Sequence, residues 1–308
     1  MKHFIALADL TPAEMRHILN LAVDIKAAWK ADTDTPYLKN KVLGMIFQKP
    51  SLRTRVSFDV AMLQLGGNAL YLSPSEIQLG KRESVADVSR VMSRYVDVVM
   101  ARVFNHYDLI ELAKYASVPV INGLSDYSHP CQGMADFLTM LERHGDLKGK
   151  KLAYLGDGNN VSTSLLFGAA LLGMDFTIAT PKSYELHPAV WDIGKRLAAE
   201  SGAQIAATYD PIAAATAADV LYTDAWASMG QEDEAAKRRL VFPPYRIDEG
   251  LLAHAHADAI VMHCLPAHRG EEITDPVADG PQSALFDQAE NRLHAQKAIL
   301  VWALDAEK

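Results

Sequence analysis

Short, wholly apolar runs alternate along most of the chain with stretches of helical period. "VLGMIF" (42–47) is apolar throughout, the pattern of a strand covered on both faces. The stretch after it, 53–65, spaces Val56, Val60 and Leu63 along one helical side and stops at Gly66-Gly67. Strands are predicted next over 69–73, 97–103 and 118–123, with helices over 84–95 and 107–116 between them. Ahead of all these, Thr11, Pro12 and Glu14 form a helix-start signature, and the helix should run to about residue 30. The latter part of "HPCQGMADFLTMLERHG" reads as a linking helix. A second series then brings strands over 151–156, 176–180, 204–208, 220–224 and 259–264. Helices are predicted over 159–173, 188–201 and, at the end, 283–305. This βαβα rhythm predicts an α/β fold of two doubly wound parallel-sheet domains, with the cleft between them as the expected place for a site.

In such sheets, ligands meet the loops at the carboxyl ends of the strands. Six polar clusters occupy these positions: "KPSLRTR", "MARVF", "GLSDYSHPCQ", "GDGNN", "TDAWASMGQE" and "MHCLPAH". If Ser51 and Thr54 flank a helix start, backbone N–H groups and hydroxyls converge where the helix dipole favours an anion. Arg53 or Arg55 would add a planar fork for phosphate oxygens; the alternative is a Ser51 helix cap with solvated arginines. "GDGNN" has only two glycines, and the next strand ends "IATPKS" with no acid for a ribose hydroxyl, which speaks against a nicotinamide cofactor. Its asparagines either serve a small polar ligand or make a tight turn. Asp224 and Ser228 would suit an ammonium group; otherwise Asp224 caps a helix. His129, Cys131, His263, Cys264 and His268 lack the usual zinc-ligand spacing. Neighbours on a strand point to opposite faces, so His263 and Cys264 are not expected to share an ion. No metal and no organic cofactor is expected.

Composition narrows the field further. Of 308 residues, 49% are hydrophobic, enough for a substantial core, and the formal charge of −8 excludes general binding to nucleic acid or anionic membranes. Anion binding must then be local. Two distant cysteines suit a reducing compartment. The N-terminus lacks a signal-peptide apolar core and no run reaches membrane-helix length, so a cytoplasmic location is expected.

Taken together, "SLRTR", "MARVF", "HPCQ", "GDGNN", "DAWASMGQE", "HCLPAHRGEE" and "AENR" resemble the motifs of the aspartate/ornithine carbamoyltransferase family, in family order over nearly the whole chain. The resemblance implies a carbamoyl-phosphate domain, 1–135 plus a returning C-terminal helix at about 287–308, and an ornithine domain, 136–286. By motif, Ser51, Leu52 (through its N–H), Arg53 and Thr54 would hold the phosphate. Arg102, His129, Gln132 and Arg292 would gather around phosphate and carbamoyl group, with Arg102, His129, Cys264 and Arg292 as catalytic residues. Asn160, Asp224, Ser228 and Met229 would hold the α-amino and α-carboxylate end of L-ornithine, while Cys264 and Leu265 lie beside the δ-amine and carbamoyl nitrogen. A homotrimer, or a multiple of trimers, is implied as well. Two positions depart from the common pattern: Leu52 stands where threonine is usual, and Arg82 where lysine is. The acidic "DAWASMGQEDE" and Ala267 favour a substrate with an α-ammonium over one with a second carboxylate. Rival readings are a carbamoyltransferase for another amine such as putrescine, a nicotinamide-dependent dehydrogenase, and an inert anion-binding relative.

Overall fold

Every predicted strand forms, and all pair in parallel, in the computed structural model, which describes residues 1–227 and 232–307. The chain divides into two units, Met1–Leu138 with Asn291–Lys308, and Thr139–Glu290. Unit 1 runs α1 (Pro12–Lys30), β1 (Val42–Phe47), α2 (Leu52–Gln64), β2 (Asn68–Leu72), α3 (Pro74–Ile77), α4 (Val85–Met92), β3 (Val98–Arg102), α5 (His106–Tyr115) and β4 (Val120–Leu124). Helix α6 (Pro130–His144) begins in unit 1 and ends in unit 2. Unit 2 continues with β5 (Lys151–Leu155), α7 (Asn160–Leu172), β6 (Asp175–Ala179), α8 (Pro188–Ser201), β7 (Ile205–Thr208), α9 (Pro211–Ala215) and β8 (Val220–Thr223). It closes with α10 (Ala235–Val241), α11 (Glu249–Leu252), β9 (Ile260–His263) and α12 (Asp275–Ala278). The last helix, α13 (Leu285–Ala303), starts in unit 2, and its residues from Asn291 on belong to unit 1.

Local chemistry accounts for the element ends. Thr11 caps α1, its hydroxyl accepting from Glu14 N–H while the Glu14 carboxylate accepts from Thr11 N–H at 2.9 Å, a reciprocal box worth about 1 kcal/mol. Gly173 and Gly202 end α7 and α8 in the left-handed region, which a side chain would strain.

Strand order fixes where ligands can meet each sheet. In unit 1 the order is β2-β1-β3-β4, so the direction of winding reverses between β1 and β3. In unit 2 it is β7-β6-β5-β8-β9, and the reversal falls between β5 and β8. Loops leaving a sheet at such a reversal turn to opposite faces and open a crevice at the strands' carboxyl ends. Phe47 pairs with Arg102 and Leu155 with Thr223, so Ser51 and Arg102 flank the first crevice, Asn159 and Asp224 the second.

The predicted helix forms, and its expected apolar side is not the side that is buried. Helix α2 buries Thr54, Phe58, Ala61 and Met62, while Leu52, Val56 and Leu63 are 76%, 49% and 72% exposed. Helical period identifies a stripe but does not say whether the sheet or something else covers it.

Candidate active site

In unit 1, β1 delivers the chain to Ser51, which caps α2. Its hydroxyl accepts from Thr54 N–H at 3.4 Å and lies 3.2 Å from the Thr54 hydroxyl. Leu52 is the first helical residue, so its N–H has no acceptor within the helix, while its side chain turns to solvent. The role implied for it therefore needs only its backbone. Thr54 is buried and collects two guanidiniums: Arg102 Nη1 at 3.5 Å and Arg292 Nη2 at 3.4 Å. Arg102 ends β3, and Arg292 comes from α13. Arg292 Nη1 also donates to Gln132 Oε1 at 2.8 Å, and the Gln132 amide donates to buried Asp136 at 2.7 Å, which fixes which way the glutamine faces. Burial, with Arg292, Arg102 and Arg53 nearby, holds His129 well below the ordinary histidine pKa of 6.5. Its imidazole is thus neutral at neutral pH and keeps an N–H to donate. Cys131 is buried inertly: burial raises its thiol to about 12, and Sγ–H donates to Asn122 O at 3.2 Å.

In unit 2, Asp224 follows β8. One carboxylate oxygen accepts from Asn159 Nδ2 at 2.8 Å, the other from Cys264 Sγ–H at 3.0 Å and Ala225 N–H at 2.8 Å. Asn159, absent from the expected site residues, caps α7 through its Oδ1, which accepts from Val161 and Ser162 N–H. Asn160 is the first residue of α7; Ser228 and Met229 lie outside the described residues. A Cβ on Gly158 would meet the Glu185 backbone at 2.5 Å, so "GDGNN" needs this glycine for close chain packing rather than for a pyrophosphate.

Cys264 stands just past the end of β9. There strand alternation no longer applies, and the expectation that His263 and Cys264 face apart fails: one ligand atom each of Asp224, His263 and Cys264 lies within 4.8 Å of the others. His263 is fully buried. Its Nδ1 accepts from Leu265 N–H at 2.9 Å, which leaves the hydrogen on Nε2, 3.0 Å from Glu272 Oε1. Burial raises the Glu272 pKa, but His263 and the His268 N–H more than offset this and hold it below 4.5. The pair orients the turn carrying Cys264 and Leu265, and Leu265 sits there at φ +58, a conformation that side chains resist. No sequence spacing announced Glu272. Asp157 forms a buried ion pair with Arg238 at 2.6 Å.

A helix N-terminus ringed by arginines suits a phosphate, and an anchored carboxylate beside a thiol suits an amine. The two features lie on separate parallel sheets, each at a reversal of strand order. The carbamoyl-P binding domain of aspartate/ornithine carbamoyltransferases matches residues 2–142, and their Asp/Orn binding domain matches 148–303. The chain belongs to the aspartate/ornithine carbamoyltransferase family. It is 53% identical over 307 residues to an ornithine carbamoyltransferase of Pyrococcus abyssi, covering 100% of this chain and 97% of the relative. It is also 53% identical over 299 residues to one of Pyrococcus furiosus named anabolic, covering 97% and 95%. A solved structure of ornithine carbamoyltransferase from Pyrococcus furiosus superposes with a TM-score of 0.97 at 52% identity, covering 100% of this chain and 98% of that one. Among the described residues, no helix is long and apolar enough to cross a membrane.

Proposed function

We propose that the chain transfers the carbamoyl group of carbamoyl phosphate to the δ-amine of L-ornithine, giving L-citrulline and phosphate. The observation that carries this is the convergence of Arg102 and Arg292 on the Thr54 hydroxyl beneath the start of α2. Ser51, Leu52 N–H, Arg53 and Thr54 hold the phosphate. Arg102 and neutral His129 donate to the carbamoyl oxygen as it becomes an oxyanion. Gln132 fixes Arg292, which neutralises the departing phosphate. Ornithine takes its place through Asn160, Asp224, Ser228 and Met229, with Cys264 beside its δ-nitrogen and Leu265 beside the carbamoyl nitrogen.

An alkyl ammonium has a pKa of about 10.4, and desolvation near arginines lowers it, so that the free amine forms. The δ-nitrogen attacks the carbamoyl carbon, the carbon–oxygen bond to phosphate breaks, and phosphate takes the proton the nitrogen sheds. Cys264 orients that nitrogen; a Cys264→Ser variant with unaltered turnover and pH profile would remove it from this role. We assign carbamoyl phosphate to 1–135 with the C-terminal helix, and ornithine to 136–286. A citrulline-type assay with carbamoyl phosphate against ornithine, putrescine, aspartate and acetylornithine tests the whole reading. Product with putrescine but not ornithine would overturn it.

We also propose a cytoplasmic homotrimer, or a multiple of trimers, serving arginine synthesis. The exposed apolar side chains of Leu52, Val56, Leu63 and Leu70 on α2 and the edge strand β2 support a contact between copies. The name of the Pyrococcus furiosus relative supports the synthetic direction. A monomer in light scattering would sink the assembly.

A further inference from the structure

The turn after the Cys264 loop carries a cluster that the reaction does not use. Gly270, at φ +85, lets 268–273 fold back on itself, with Gly270 N–H on Ile273 O at 2.8 Å and Glu271 N–H on His268 O at 2.9 Å. His268, Glu271 and Glu272 thereby each bring one ligand atom within 4.8 Å of the other two. We propose that these three residues bind a divalent transition-metal cation of the zinc class, at a site separate from the Asp224–Cys264 pair.

The observation pointing to an ion is Glu272. Its side chain is completely buried, and Oε1 is satisfied by His263 Nε2 at 3.0 Å and His268 N–H at 2.6 Å. Its Oε2 is equally buried and accepts no hydrogen bond. That bare oxygen lies 3.6 Å from His268 Nδ1, too far for a hydrogen bond. Two ligands on tetrahedral zinc, with bonds of about 2.0–2.1 Å, stand about 3.4 Å apart. An ion between the two atoms supplies the missing positive partner at nearly the existing spacing, and Glu271, with a ligand atom within 4.8 Å of one from each of His268 and Glu272, completes the set.

The surroundings permit this. Glu271 gives one oxygen to Arg239 Nε at 2.8 Å and has a second to offer. The Arg238 charge is met by Asp157 at 2.6 Å and Glu234 at 3.1 Å. A cavity of about 160 Å³, lined by Trp226, Arg238, Arg239, His268 and Glu271 among others, leaves room for water ligands. One imidazole with two carboxylates favours zinc over magnesium or calcium, which prefer oxygen alone. A bound ion would grip Glu272 from the side away from His263, and so stiffen the turn that holds Leu265.

Calorimetric titration of zinc into the chelator-stripped full-length protein tests the proposal, because it reads binding directly and does not depend on the reaction. Cys264→Ser should still take up one equivalent, whereas His268→Ala and Glu271→Gln should each weaken uptake at least tenfold. Without zinc, His268→Ala should keep its activity and its melting temperature. Zinc uptake lost in Cys264→Ser, or unaltered in His268→Ala, would overturn the site, as would equal binding of magnesium.

Discussion

At the ends of β1 and β3, unit 1 brings two buried guanidiniums to one threonine hydroxyl; at the ends of β5 and β8, unit 2 places Asp224 between an asparagine amide and a thiol. Both sites occupy the same position in the same kind of sheet, at the reversal of strand order. They differ in how their charge is met. Arg102 and Arg292 are 5% and 4% exposed and crowd one another, and a neutral His129 stands in their field. Unit 2 instead meets most of its acid oxygens from within: Asp157 with Arg238, Asp224 with three donors, and Glu272 through Oε1 with His263 and the His268 N–H. Burying like charges together is costly, and a doubly charged anion relieves that cost. The difference fits the proposed division of labour, in which a phosphate relieves the clustered positive charge of unit 1 and an amine meets Asp224 in unit 2.

Breaking the first half of this contrast should have the largest effect. If Arg102 donates to the oxyanion as proposed, Arg102→Ala should lower kcat by about 10²–10³, read in single-turnover citrulline formation. Asp224→Asn attacks the second half. Losing one charged interaction worth about 1.5–3 kcal/mol should lower kcat/KM for ornithine by about 10–150-fold and leave the KM for carbamoyl phosphate in place. Equal loss toward both substrates would erase the distinction between the units. Glu272→Gln should cost about 1–3 kcal/mol of stability in urea titration, because a buried hydrogen-bonded charge is lost.

Two pH measurements sharpen the comparison further. His129 has a folded pKa below its unfolded 6.5, so between those values the unfolded chain binds more protons. Its contribution is complete above 6.5 and is lost as pH falls, so His129→Gln should flatten the acid side of the melting profile. The smallest effect concerns Lys297, 1% exposed in α13 with its ammonium 4.5 Å from the Trp29 ring centroid. Burial lowers it from 10.5 to about 8. Stability should therefore rise as pH climbs from 8 to 10.5, and Lys297→Met should remove that rise from the melting curve.

Short-range signals were legible because they act over a few residues. The strand "VLGMIF" lies at the predicted 42–47, and the Thr11 box opens α1 where the motif said. "SLRTR" was ambiguous between cap and anion site, and Ser51 is indeed a cap, with the arginines of β3 and α13 arriving from elsewhere. Asn159 was recognisable as a cap type, but its bond to Asp224, 65 residues on, was not. Glu272 was overlooked because nothing local marks an acid that will be buried against a histidine.

By itself, then, the sequence determined the order of the strands and the longer helices, their ends to within a few residues, and which polar loops sit at strand ends, since periodicity and capping depend on near neighbours. The short helices α3 and α9 to α12 left no such signal. Only the tertiary structure decided which crevice each loop borders, that Leu52 faces outward, and that Arg102 and Arg292 meet at Thr54. Those outcomes follow from strand order and long-range packing, and side chains 48 and 238 residues from Thr54 leave no periodic trace along the chain.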